Sequence, residues 1–163
     1  MAFKDDIAKI AKQSAGFTFW LKKTVTSSDI TESPVAITSV AIGGELAIED
    51  IIIKSDATGL AGGTTFRIVS DNAKGTTTVF LTKVSKLGVY KSVNMTSEFA
   101  DPNNESAVIT GGVTGRQVNI PTVLESGKKL SVANTGAVGT GAGTIDIYIQ
   151  FRKLSDSSRI TPA

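Results

Sequence analysis

The chain of 163 residues contains no cysteine and no histidine. Without cysteine there is neither a disulfide framework nor a zinc–thiolate site, which suits folding in a reducing cytoplasm. Without histidine the commonest acid–base group and the commonest metal ligand are missing, so most hydrolase mechanisms and most transition-metal sites are excluded. Charge is sparse too: charged residues make up 20%, and 17 basic side chains against 15 acidic ones leave a net charge of +2. The only adjacent lysines, Lys22-Lys23 and Lys128-Lys129, read as solvated strand ends rather than a basic face that tracks phosphates, so nucleic acid is not an expected partner. Aromatic residues reach only 6%, little for a sugar-stacking platform. Apolar runs such as Ile51-Ile52-Ile53 fall far short of the roughly 20 residues that cross a bilayer. No apolar signal region is visible in Met1-Ala2-Phe3-Lys4-Asp5-Asp6, so a soluble protein with no membrane partner is expected.

What remains is patterned for strands. Ile145, Ile147, Ile149 and Phe151 alternate with Asp146, Tyr148, Gln150 and Arg152, which buries one face of a strand and wets the other. Further strands are expected over 17–21, 34–42, 46–53, 64–70, 76–85, 107–110, 117–124 and 129–133, joined by Gly-rich connections; Pro121 demotes its strand to an edge or a bend. In the third of these the apolar phase slips at Asp50, from Leu46 and Ile48 to Ile51 and Ile53, which predicts a β-bulge or a bend between sheets. Residues 3–14 alone carry helical spacing, with Phe3, Ile7, Ile10 and Ala11 on one stripe and Gly16 as a stop. A helix this short is marginal in water and needs a partner surface, on its own domain or on a neighbouring subunit. The expected fold is all-β, an antiparallel two-sheet sandwich or jelly roll over 16–154, with a short N-terminal helix or arm over 1–15 and a loose polar tail over 155–163.

The motifs that invite chemistry read better as structure. Gly139-Thr140-Gly141-Ala142-Gly143 precedes a strand, whereas a phosphate loop opens a helix whose amides hold the anion. Ser126-Gly127-Lys128-Lys129 has no Ser or Thr after the lysine and reads as a turn. Asp101-Pro102-Asn103-Asn104-Glu105 is oxygen-rich but lacks the glycine and distal glutamate of an EF-hand loop, so a turn is expected over a calcium site. Asp5-Asp6 lies on a solvated helix turn, and Glu49-Asp50 are adjacent on a strand and are expected to face apart; neither pair offers two carboxylates to one cleft. Trp20, beside Phe17 and Phe19, reads as core. Tyr148 lies on the polar face of its strand, where an aromatic suits a subunit interface. No catalytic, cofactor-binding or metal-binding residue is assigned, and no enzyme activity is expected.

Three segments carry a family likeness: Leu46 to Asn72, with Lys54-Ser55-Asp56-Ala57-Thr58-Gly59-Leu60-Ala61-Gly62-Gly63 between two strands; Val123-Leu124-Glu125-Ser126-Gly127-Lys128-Lys129-Leu130, ahead of the loop 134–143; and the closing strand Thr144 to Leu154. Together they resemble the small β-sandwich virion proteins of tailed bacteriophages, particularly head decoration (cement) proteins. The resemblance implies a non-enzymatic homotrimer that binds the major capsid protein on the capsid surface and is made in the host bacterial cytoplasm. It makes Phe3, Ile7 and Ile10 of the N-terminal stretch, with Tyr148 and Arg152 of the closing strand, candidate interface residues. The alternative it leaves is a tail or fibre component that binds a receptor or carbohydrate through loops 56–63, 111–116 and 134–143.

Overall fold

The computed structural model describes residues 16–60, 62–72, 75–83, 87–90, 92–94, 122–135 and 143–163. The expected N-terminal helix, the strand at 107–110, the cluster 101–105 and the loop 111–116 lie outside these residues, as does most of the loop 136–143.

Among the described residues there are nine strands: β1 Thr18–Thr26, β2 Val35–Ala36, β3 Leu46–Ser55, β4 Thr65–Asn72, β5 Gly75–Lys83, β6 Ser92–Asn94, β7 Thr122–Leu124, β8 Leu130–Thr135 and β9 Thr144–Lys153. All pair antiparallel, in two sheets. One has the order β1-β9-β3, with β6 and β7 both on the far edge of β3; the other runs β2-β8-β4-β5. The pairing is nested. β1 joins β9, β2 joins β8, β3 joins β7, and β4 joins β5, as though one long hairpin had been rolled up. The β3–β9 and β4–β8 pairs then close each sheet. This is a jelly roll, the architecture expected from many short strands with Gly-rich turns.

The core lies between the sheets. Ile145, Ile147, Ile149 and Phe151 of β9 are fully buried, and Leu21, Val25, Ile48, Ile51 and Ile53 join them from the same sheet. Phe66, Ile68, Phe80, Leu130 and Val132 close the core from the other sheet. Phe19 stacks on Phe151, with ring centroids 5.7 Å apart. The phase slip in β3 is a bulge between Ile48 and Asp50, and the strand stays in one sheet throughout. A second irregularity, where Ile68 pairs with Phe80 but Val69 pairs with Thr78, leaves Val79 as an extra residue and lets both Val79 and Phe80 turn inward.

The C-terminal stretch is not loose. Pro162 bridges Thr38 and Arg159 bridges Ile42. Amide bonds from Ser39 to Thr161 (2.7 Å), Arg159 to Ile42 (2.9 Å) and Ala163 to Ile37 (3.1 Å) hold it along the 37–42 segment, and Ile160 and Ser158 are buried. Its polar composition misled because backbone pairing, rather than side-chain burial, anchors most of it.

Candidate functional site

The register places the outward side chains of the β1-β9-β3 sheet in rows. Thr18, Arg152 and Ala47 form one; Trp20, Gln150 and Asp50 the next; then Lys22, Tyr148 and Ile52; then Thr24, Asp146 and Lys54. Directly paired residues share a face, so each row crosses one side of the sheet. Tyr148 and Arg152 are therefore on the same outer surface, as the alternation of β9 predicts. Phe3, Ile7 and Ile10 lie outside the described residues.

Tyr148 stands at the centre of this face. Lys22 Nζ lies 5.3 Å and Lys54 Nζ 5.4 Å from its ring centroid, within cation–π range. Lys22 Nζ also pairs with Asp146 Oδ2 at 2.8 Å, and Thr24 Oγ1 donates to Asp146 Oδ1 at 2.5 Å. Partial burial pushes the Asp146 carboxyl up, but hydrogen bonds from Lys22, Thr24 and Tyr148, with the Lys22 charge, together outweigh it and hold the group below the ordinary carboxylate value. The same contact with Asp146 raises Lys22 against its own loss of water. Beside this pair, Trp20, Ile52, Lys54 and Tyr148 line a shallow hollow of about 170 Å³.

Further along the face, Arg152 Nε donates to Glu49 Oε1 at 2.8 Å. Glu49 reaches Arg152 because it is the extra residue of the β3 bulge. Ile48 and Ile51 both point inward, so Glu49 and Asp50 share the outer side, contrary to the expectation that they face apart. They still form no acid–base pair, since Glu49 is engaged by Arg152 and Asp50 Oδ1 accepts from the Ile51 amide at 2.8 Å. Among the described residues, no group of three or more His, Cys, Asp or Glu side chains could hold a metal ion.

No protein-family model matches the chain, and no curated protein matches it in sequence. Solved structures do resemble it in backbone course. A chain of the Ralstonia phage GP4 capsid matches with 14% identity and a TM-score of 0.49, over 85% of this chain and 86% of that one. A chain of the cyanophage Pam1 capsid asymmetric unit matches with 10% identity and a TM-score of 0.41, over the same shares. A chain of the Bacillus endospore appendages, described as disulfide-linked pili, matches with 10% identity and a TM-score of 0.38, over 83% and 87%. Likenesses this distant carry no argument about role.

Trp20 is the main departure from the sequence reading. It is 48% exposed rather than core, because it pairs with Gln150 and falls in the outward phase of β1 with Thr18, Lys22 and Thr24. That phase was legible: Phe19, Leu21 and Val25 already form the inward set, and Trp20 lies between two of them. Ile52 and Lys54 fall in the outward phase that the slip at Asp50 sets, but nothing along the chain signals that register brings them beside Tyr148 and Asp146.

Two loops beside the sheet are fixed by backbone bonds. Asp56 Oδ1 accepts from the Thr58 and Gly59 amides at 2.8 and 2.9 Å, and Oδ2 accepts from the Thr144 amide and hydroxyl at 2.8 and 2.9 Å. The Gly59, Thr144 and Thr58 amides, in that order, lower its pKa from 3.8 to about 2. The Asp56 carbonyl in turn accepts from the Tyr90 amide at 2.8 Å. Tyr90 is 76% exposed and adopts a left-handed backbone at φ 51°, so the fold holds a large side chain out to solvent on a strained turn. The loop 56–63, a candidate receptor loop by sequence, is in part a structural clasp on β9. Gly127, at φ 86° with its amide bonded to the Ala41 carbonyl at 2.8 Å, confirms 126–127 as a turn.

Proposed function

We propose that this chain is a non-enzymatic structural protein of a virion, and more narrowly a decoration protein of a phage head. The carrying observation is the jelly roll with its open outer sheet face. That face presents paired charges and exposed aromatic surface to a neighbour, and its carboxylates are engaged in ion pairs or on backbone amides instead of converging on a cleft. The family likeness of segments 46–72 and 123–154 points to the same role. In this reading the partners are the major capsid protein and further copies of the chain, in a homotrimer on the capsid surface. The N-terminal stretch with Phe3, Ile7 and Ile10 grips the neighbour, assisted by Arg152 and Tyr148 on the sheet face. Arg152 lies near the point where that stretch leaves the sheet: the Gly16 amide is bonded to the Lys153 carbonyl at 2.7 Å.

The test is co-sedimentation of the purified protein with capsids of the phage that encodes it, alongside light scattering of the free protein. Saturable binding, trimers in solution and at least tenfold weaker capsid binding after removal of residues 1–15 are expected. A monomer that leaves capsids unbound and no more heat-resistant would defeat the proposal.

A further inference from the structure

We propose that the hollow lined by Trp20, Ile52, Lys54 and Tyr148 binds a carboxylate-bearing six-membered sugar. This goes beyond the decoration role and is a property of the free chain, because a neighbour seated on Tyr148 would cover the hollow. The hollow combines three features. Trp20 supplies a flat, half-exposed indole. Ile52, partly exposed between Tyr148 and β6, supplies an apolar floor. Lys54 supplies a cation. Lys22, the other lysine against Tyr148, already has Asp146 at 2.8 Å, whereas no carboxylate among the described residues pairs with Lys54. The two lysines flank the Tyr148 ring and hold it as a wall, which leaves Trp20 as the stacking surface.

Chemistry selects the ligand. A neutral sugar lays its C–H face on the indole but leaves the ammonium unanswered. A small carboxylate answers the ammonium but leaves the indole and Ile52 wet. A sugar ring bearing a carboxylate satisfies both. The volume of about 170 Å³ is below the roughly 300–1,000 Å³ of pockets for drug-sized ligands, so it accommodates one ring, such as the end of a chain. An open site of this size binds with a Kd on the order of millimolar.

Trp20 is the only tryptophan of the chain, so its fluorescence reports on the hollow directly. The full chain is titrated with D-glucuronate, with D-glucose and with acetate at constant ionic strength. A saturable change is expected for glucuronate, at least tenfold tighter than for either control. Lys54→Gln, an exposed position whose folding is checked by circular dichroism, is expected to bring glucuronate down to the level of glucose and leave glucose unaffected. Trp20→Leu, followed by ligand-observed NMR, is expected to lose binding altogether. The proposal is overturned if acrylamide fails to quench Trp20 in the free chain, because the hollow is then already covered. It is equally overturned if acetate or glucose matches glucuronate, or if Lys54→Gln changes nothing. Capsid co-sedimentation is scored separately, so either proposal can fail without the other.

Discussion

At the scale of single residues, two charged groups carry opposite consequences for stability. The Asp56 carboxylate accepts four hydrogen bonds and has a folded pKa of about 2, below its ordinary 3.8. Its contribution is complete above the unfolded pKa and disappears as pH falls through the folded one. Thermal stability should therefore decline between about pH 4 and pH 2. In Asp56→Asn the unfolding midpoint at neutral pH should drop and the acid decline should flatten, as followed by circular dichroism melts across that range. Lys153 is the reverse case. It occupies an inward position opposite Leu46, only 4% exposed, with Nζ at 3.5 Å from the Asp156 carbonyl. Burial, then the nearby Arg159, lowers its pKa. The folded state thus holds the charged form poorly, and this cost eases as pH rises through the lowered pKa towards 10.5. Lys153→Met keeps the length and removes the charge, and should raise stability by about 1 kcal/mol in urea titrations at pH 7.

At the scale of elements, close approaches decide which changes are tolerated. A Cβ at Gly143 would stand 2.1 Å from the Gly59 carbonyl oxygen, where Asp56 clasps the start of β9. Gly143→Ala should cost about 1–3 kcal/mol through overpacking, measured by urea unfolding. Gly127, with nothing near a built Cβ but a positive φ, should lose less on the same change. The C-terminal stretch behaves as a strand-like strap. Removing residues 157–163 should expose the 37–42 segment, lower the melting temperature and speed amide exchange at Ser39 and Ile42, whose amides it covers. A tail without structural role would leave all three unchanged.

At the scale of the whole molecule, the nested topology makes most pairing non-local. Thr18 pairs with Arg152 and Leu46 with Leu124, so the first and last strands must meet before their sheet is complete. Folding should accordingly be slow for its size, in the millisecond-to-second range or beyond, as read by stopped-flow tryptophan fluorescence. The fully buried Phe151 sits on the central strand β9, stacked on Phe19. Phe151→Ala should cost about 3–5 kcal/mol, whereas Trp20→Ala, one row away on the outer face, should cost far less. The alternation of β9, the phase slip of β3 and the turn at 126–127 were all legible in the sequence, because each is set by local periodicity or turn chemistry. The bonds that hold the tail, the shared outward side of Glu49 and Asp50 and the exposure of Trp20 were not all so, because the first two depend on register with strands distant in the chain.

What the amino-acid sequence determined by itself was the class of object: an antiparallel β sandwich without thiol or imidazole chemistry. Period-two patterning and glycine turns act locally and need no partner to be read. Tertiary structure alone decided which polar side chains meet. Pairing of β1 and β3 on either side of β9 brought Lys22, Lys54 and Asp146 around Tyr148 and opened the hollow next to Trp20. Lys54 lies 32 positions after Lys22, and Asp146 another 92 positions after Lys54. No spacing along the sequence encodes that meeting; strand register does.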